Sequence, residues 1–321
     1  MRTPLTALAL AALTWWSAAP AHAQGDVTRI VVPFAPGGAQ DVIGRYLAER
    51  LGTRLGAAVV VENKAGAGGV IAADAVAKAK PDGRTLLLAT GGAITIAPHL
   101  IAKLSYDPRK DFVPVALVAD TPMTLAVRAQ SPYASVADLI KDAKANPGKV
   151  SFASTGNGTV SHLTGELLAQ STGVQLLHVP YRGAGPAITD LLGGQVAAMV
   201  TSSASIEPMV IDKKARVLGS FTNAPIGALH GAPTMTEATG IKGLTVPVWV
   251  GLLAPAGTAK PVLDKLSAEL QAICAQTGTV ERFKALGAAA TCGGPAELGQ
   301  VIAEDDKRWE SVIRLGKIQA N

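Results

Sequence analysis

Cysteine, histidine and aromatic residues are scarce in this chain: two Cys, five His and 4 % Phe, Trp and Tyr among 321 residues. After residue 23, His99, His162, His178 and His230 lie far apart and show no metal-ligand spacing, so neither a metal nor another cofactor is expected. The G-x-S-x-G, H-E-x-x-H and G-x-x-x-x-G-K-[ST] signatures are missing. Ser161 and His162 are neighbours on an expected helix and point in different directions, a poor nucleophile–base pair. These absences argue against an enzyme, while an exported hydrolase or isomerase assembled from distant residues stays open. Long apolar runs are also missing after the N-terminus. The best of them, Val246 to Pro255, is strand-sized and broken by Pro247, so nothing there spans a bilayer. Net charge is only +5, one unit of it from Arg2, and the basic residues are scattered without aromatic interleaving. That disfavours nucleic acid as a partner. A weak positive field suits small anions.

What is present begins with an export signal. Met1-Arg2 gives a positive start, Leu5 to Ala19 an apolar core, and Ala21-His22-Ala23 an A-x-A site. Residues 1–23 are therefore expected to be a signal peptide cleaved after Ala23, placing the mature chain in the periplasm. About 300 residues remain, enough for two domains. In an oxidising compartment the two cysteines, Cys274 and Cys292, are expected to form a disulfide.

Strand-like and helix-like periods then alternate. Short β-branched or aliphatic runs fall at Thr28–Phe34, Ala57–Glu62, Thr85–Ala89, Val113–Ala119, Thr124–Arg128, Val150–Ser154, Leu176–Pro180, Val196–Thr201 and Val248–Leu253. Helical stripes include Ile43, Leu47, Leu51 and Leu55. Ser135 and Asp138 read as a capping box opening a helix over Val136–Ala145, which Asn146-Pro147-Gly148 stops. This alternation predicts an α/β fold around mainly parallel sheets. The crossings between domains are expected at Ala119–Thr124 and Val246–Gly251, giving residues 24–121 plus 249–321 as one domain and 122–248 as the other. The C-terminal helices return to the first domain, and a cleft between the two is a natural ligand site.

Three glycine-rich turns join a strand to a helix. Gly66-Ala67-Gly68-Gly69 resembles part of a dinucleotide fingerprint, but the third glycine would be Ile71, and a structural turn is the better reading. The other two are Ala35-Pro36-Gly37-Gly38-Ala39-Gln40-Asp41 and Ser154-Thr155-Gly156-Asn157-Gly158-Thr159, one in each expected domain. Each ends on a helix N-terminus, whose free N–H groups attract anions. Charge-assisted hydrogen bonds contribute about 1.5–3 kcal/mol each and a helix N-terminus about 0.3–1. Three such bonds and two helix ends approach the roughly 8 kcal/mol of micromolar binding. Asp41, itself an anion, is expected to hold the start of its helix while the Gly37–Gln40 amides face a ligand.

The stretches "VVPFAPGGAQDVIGRYLAERL", "VVENKAGAGGVIAADAVAKAKPDGRTLLLAT", "FASTGNGTVSHLTGELLA", "VPYRGAGPAITDLLGGQV", "GAPTMTEATG" and "VWVGLLAPAGT" occur in order over most of Ile30 to Thr258. Together they resemble the Bug-type extracytoplasmic solute receptors, the substrate-binding components of tripartite tricarboxylate transporters. The resemblance implies a two-domain periplasmic-binding-protein fold, acting as a monomer, that closes on a small organic carboxylate. It implies delivery of that ligand to membrane transporter subunits or a membrane sensor. Carried over by position, the ligand pincers are Ala35 and Gly37 to Asp41, and Ser154 to Thr159. Further wall residues are Thr90, Tyr181, Arg182, Gly183, Ser202, Ser203 and Trp249, with His162 on the helix of the second pincer. Many members carry an Asp and an aromatic residue where this chain reads Thr201-Ser202-Ser203-Ala204. A neutral, hydroxyl-lined wall there favours a plain carboxylate over an amino acid.

Overall fold

The computed structural model describes residues 27–223, 231–316 and 318. The expected signal peptide with its cleavage point after Ala23, and His230, lie outside the described residues. The chain starts with β1 (Thr28–Val32), α1 (Ala39–Leu55), β2 (Val59–Asn63), α2 (Val70–Ala77), β3 (Thr85–Ala89), α3 (Ala97–Leu100) and β4 (Phe112–Asp120). It crosses into β5 (Met123–Arg128), α4 (Val136–Ala145), β6 (Ser151–Ser154), α5 (Val160–Thr172), β7 (Leu177–Pro180) and α6 (Ala184–Gly193). β8 (Ala198–Ser202), α7 (Ser203–Ile211), β9 (Ala215–Ser220) and α8 (Met235–Thr239) follow. The return passage is β10 (Trp249–Pro255), α9 (Lys260–Cys274), α10 (Thr277–Ala285), β11 (Ala289–Gly293) and α11 (Pro295–Gly316).

Two sheets result, and each defines a lobe. The first has six strands in the order β11-β4-β10-β3-β1-β2, the second five in the order β7-β6-β8-β5-β9. Both are mixed, which corrects the expectation of mainly parallel sheets. β1 pairs parallel with β2 and β3, and β6 with β7 and β8. The strands that carry the chain between lobes run the other way: β10 is antiparallel to β3 and β4, and β5 to β8 and β9. A strand arriving from the opposite lobe enters the sheet from its far end, so it opposes the strands wound by helical crossovers. β9 and β11 have no counterpart among the expected strands. Each is an edge strand, and β11, Ala-Ala-Thr-Cys-Gly, has little intrinsic strand preference.

The helices follow their patterning. Ile43, Leu47 and Leu51 on α1 are fully buried against β1 and β3 residues such as Ile30 and Leu86; burial of each contributes about 1.5–3 kcal/mol. α4 opens on the expected capping box: Ser135 accepts from the Asp138 N–H, and the Asp138 carboxylate accepts from the Ser135 N–H. α11 does more than return to the first lobe. Its Leu298 packs with Val31, Leu87 and Trp249, whereas Trp309 and Ile313 pack with Phe152 and Leu163 of the second. No helix among the described residues is long and apolar enough to cross a membrane.

The expected disulfide is absent: Cys274 and Cys292 are free thiols. They are neighbours in hydrogen-bonding contact across the α9–β11 packing, and Cys274 Sγ also lies 3.6 Å from the Val118 carbonyl inside the core. Cys292 sits in an irregular stretch of β11 with φ at 52°. Burial pushes the Cys274 thiol up to about 12, which keeps it protonated and unreactive.

Candidate anion site at the seam between the lobes

Four helix N-termini meet where the lobes touch. The α1 end carries the first glycine loop, and Gly38 lies against the first residue of α6, so that a Cβ on it would be 3.6 Å from Ala184 Cβ. The Ala35 N–H donates to the Arg182 carbonyl at 3.2 Å, and the Ala39 N–H donates to Ser205 Oγ on α7 at 3.2 Å. The turn before α5 meets the first lobe at Gly68, where a Cβ would lie 2.7 Å from the Asn157 carbonyl oxygen. A cavity of about 340 Å³ opens along this line, walled by Phe34, Gly68, Thr155, Asn157, Tyr181 and Arg182.

The first loop is built around Asp41, which is 4 % exposed. Its Oδ2 accepts from the Gly37 N–H and Arg45 Nε, both at 3.1 Å, and its Oδ1 accepts from Asn63 Nδ2 at 2.8 Å. Arg45 Nη2 lies 3.0 Å from Oδ1. Burial works against the charged carboxylate, but these hydrogen bonds and the Arg45 charge outweigh it and hold Asp41 below the usual range. The Gly37 amide, expected to face a ligand, is therefore taken by Asp41, and Gly37 can serve there because its φ is 92°. The Ala39 amide points to the seam and is met by Ser205.

The second loop is more inward-looking than its sequence suggests. The Thr155 N–H donates to Ser161 Oγ, the Gly156 N–H to Ser154 Oγ and the Gly158 N–H to His162 Nδ1, at 3.1, 3.1 and 3.2 Å. Thr159 Oγ1 donates to the Gly156 carbonyl and accepts from the His162 N–H, capping α5. Ser154 is fully buried, and its Oγ lies 2.6 Å from His178 Nε2. His178 is sandwiched between Phe152, at 5.0 Å, and His162, at 3.9 Å and 10°. Burial lowers His162 to about 4; burial and then the neighbouring ring lower His178 to about 3, so both are neutral at pH 7. Ser154 and His162 thus support the loop from behind.

The remaining expected wall residues divide. Gly183 meets Ala35 directly, with a Cβ there falling 3.1 Å from the Ala35 nitrogen, and its φ of 123° suits only glycine. Arg182 contributes its carbonyl to the seam while the residue itself is exposed. The Tyr181 hydroxyl is spent on Asp190 at 2.7 Å. Thr90 is buried just past β3, next to Gly91, whose carbonyl is held by Thr95 Oγ1 at 2.9 Å. Ser202 Oγ is 2.9 Å from Ser205 Oγ, and Ser203 Oγ donates to the Gly287 carbonyl of the other lobe. Trp249 belongs elsewhere: its Nε1 donates to Asp305 at 2.9 Å, beside a separate 260 Å³ cavity lined by Asp120 and Arg308 where β4 and β10 cross between lobes. Two features escaped the sequence reading. Ser205 reaches the α1 N-terminus, and the Gly66–Gly69 turn, read as purely structural, walls the cavity. Three glycines in four residues were its available signal. No group of three His, Cys, Asp or Glu suited to a metal occurs among the described residues.

Two lobes joined by crossing strands and closing on helix N-termini define a periplasmic-binding-protein type of receptor. Residues 43–317 match the tripartite tricarboxylate transporter family receptor, and the chain belongs to that family. It is similar to the periplasmic binding protein BugD, with 38 % identity and a TM-score of 0.87 over 91 % of this chain and 98 % of that one. MatC from Rhodopseudomonas palustris, solved with bound malate, is 34 % identical with a TM-score of 0.85, covering 89 % and 98 %. A further R. palustris protein, solved with adipate, is 32 % identical with a TM-score of 0.87, covering 91 % and 97 %.

Proposed function

We propose that the mature protein is a monomeric periplasmic receptor that captures a small organic carboxylate by closing its lobes and is not an enzyme. It then hands the ligand to membrane transporter subunits or reports it to a membrane sensor. The observation that carries the reading is the convergence of the α1, α5, α6 and α7 N-termini on one seam. Helix N-termini and hydroxyls supply donors for an anion without a fixed cation. The Ala39 N–H donating to Ser205 Oγ marks a donor that a carboxylate oxygen would accept more strongly. The dicarboxylates malate and adipate in the two related structures fit that donor set. Ser202 and Ser205, with no carboxylate beside them in the hydrogen bonds they make, favour a ligand without an ammonium group.

The Ser154–His178 pair has the spacing of a nucleophile and its base, but Ser154 is fully buried and its Oγ is committed to the Gly156 backbone. That arrangement suits a scaffold. Native mass spectrometry of the mature protein for a co-purified ligand, followed by a melting-temperature panel of carboxylates and amino acids, tests the proposal. Carboxylates are expected to raise the melting temperature and to be recovered chemically unchanged. Turnover of the tightest ligand, or stabilisation by amino acids alone, would overturn it.

A further inference from the structure

Among the buried side-chain atoms of the described residues that lack a hydrogen bond, Glu207 Oε2 is the one carboxylate oxygen. Glu207 is 5 % exposed and lies on α7, which belongs to the second lobe by its link to β8 but docks its first turn in the first. Ala204 packs with Leu266, Phe283 and Ala288 of that lobe, and Ser203 Oγ donates to the Gly287 carbonyl. The Gly287 turn covers Glu207 so closely that a Cβ at Gly287 would collide with Oε2. The carboxyl is thus shut in by contact between the lobes, on the far side of α7's first turn from the anion site.

No charge compensates it. On α7's own C-terminal side Asp212 pairs with Lys214, and on β9 Arg216 spends its Nη groups on the carbonyls of Ala129, Ser131 and Tyr133. On α1 Arg45 pairs with Asp41, and on α10 Glu281, Arg282 and Lys284 are exposed. Burial alone pushes Glu207 up to about 7. In an open form that draws the Gly287 turn off α7, water would reach the carboxyl and it would return to the ordinary range near ~4.3.

We propose that closing the lobes takes up one proton from solvent on Glu207, so that the receptor binds its carboxylate more tightly as the medium acidifies through the neutral range. The proposal rests on the receptor reading. The sign follows from linkage: the closed form holds more protons than the open one, so lower pH favours closure. His162 and His178 stand behind the turn before α5, His162 bonded to the Gly158 N–H, and both titrate below this range.

Calorimetry with malate and with adipate at pH 6 and pH 8, in two buffers of different ionisation enthalpy, tests it on wild type and Glu207→Gln. The expected Kd is on the order of tenfold lower at pH 6, with close to one proton taken up. Glu207→Gln, which keeps the shape but cannot ionise, should bind equally at both pH values. A pH-independent wild type, or a variant with the wild-type slope, would overturn the proposal. Small-angle scattering of the empty protein separates this from failure of the receptor reading. If neither acid binds, the carboxylate reading loses its support, yet greater compaction at pH 6 in wild type and none in Glu207→Gln would still uphold proton-linked closure. Identical scattering of both proteins at both pH values would sink it.

Discussion

Asp41 is an anion placed where an anion is to be attracted, and its partners resolve the conflict. A free carboxylate at the third position of α1 would compete for first-turn amides. Here it takes the Gly37 amide, one residue before the helix cap, and leaves the Ala39 amide to the seam. Its other bonds tie the loop to α1 through Arg45 and to β2 through Asn63. Asp41→Ala should therefore lower stability by about 1–3 kcal/mol in chemical denaturation, after allowing for an Arg45 side chain that is half exposed. Because the folded carboxyl is held below its unfolded value, this contribution is present above ~4 and fades as pH falls through the folded value. The variant and wild type should converge in strong acid. Tighter carboxylate binding with unchanged stability would contradict the bracing role. The thiols give a second test at this scale. Without reductant, iodoacetamide should modify Cys292 before Cys274 in the native protein and both after unfolding, read by intact mass. A mass two hydrogens lighter, with no alkylation on unfolding, would mean a disulfide.

At the scale of elements, the second loop rests on a Phe152–His178–His162 stack that must stay neutral. Both histidines are lowered in the folded state, so the unfolded chain binds more protons between pH 6.5 and about 4. Their stabilising effect is full above ~6.5 and is lost as pH falls, so the melting temperature should drop steeply across that interval. His178→Gln should flatten the slope while lowering stability at pH 7; an unchanged slope would remove the stack from the account. This support explains what could be read from sequence and what could not. Glycine and small polar residues between a strand and a helix announced both loops, since few other residues allow those backbones. Nothing local announced that Ser154 binds His178, 24 positions away, or that Ser205 caps α1 from another lobe, 166 positions away. Such contacts depend on how sheets are assembled. The same reason hid β9 and β11, edge strands whose pairing comes from their neighbours, and misled the expectation of parallel sheets. Trp249 was drawn towards the cleft by its position in the motif, whereas the β10 crossing turns it to Asp305.

For the whole molecule the decisive quantity is the free energy of closure, and backbone-to-backbone contact across the seam sets its geometry. Gly68 faces the Asn157 carbonyl, Gly183 faces the Ala35 nitrogen, and neither position has room for a side chain when the lobes meet. Gly68→Ala separates closure from folding. A Cβ would lie 2.7 Å from the Asn157 oxygen, a backbone atom that cannot rotate away, so the lobes could not reach the present arrangement. Within its own lobe the cost is that of an alanine at φ 64°, roughly 1 kcal/mol, which should leave the fold intact. Gly56→Ala is the matching control, because Gly56 has a similar φ of 63° and open space around it. Both variants should melt a few degrees below wild type. Only Gly68→Ala should lose at least tenfold in affinity for whichever carboxylate stabilises the wild type, and only it should fail to compact in small-angle scattering when that ligand is added. Equal affinity in the two variants would show that capture does not require these lobes to close on each other.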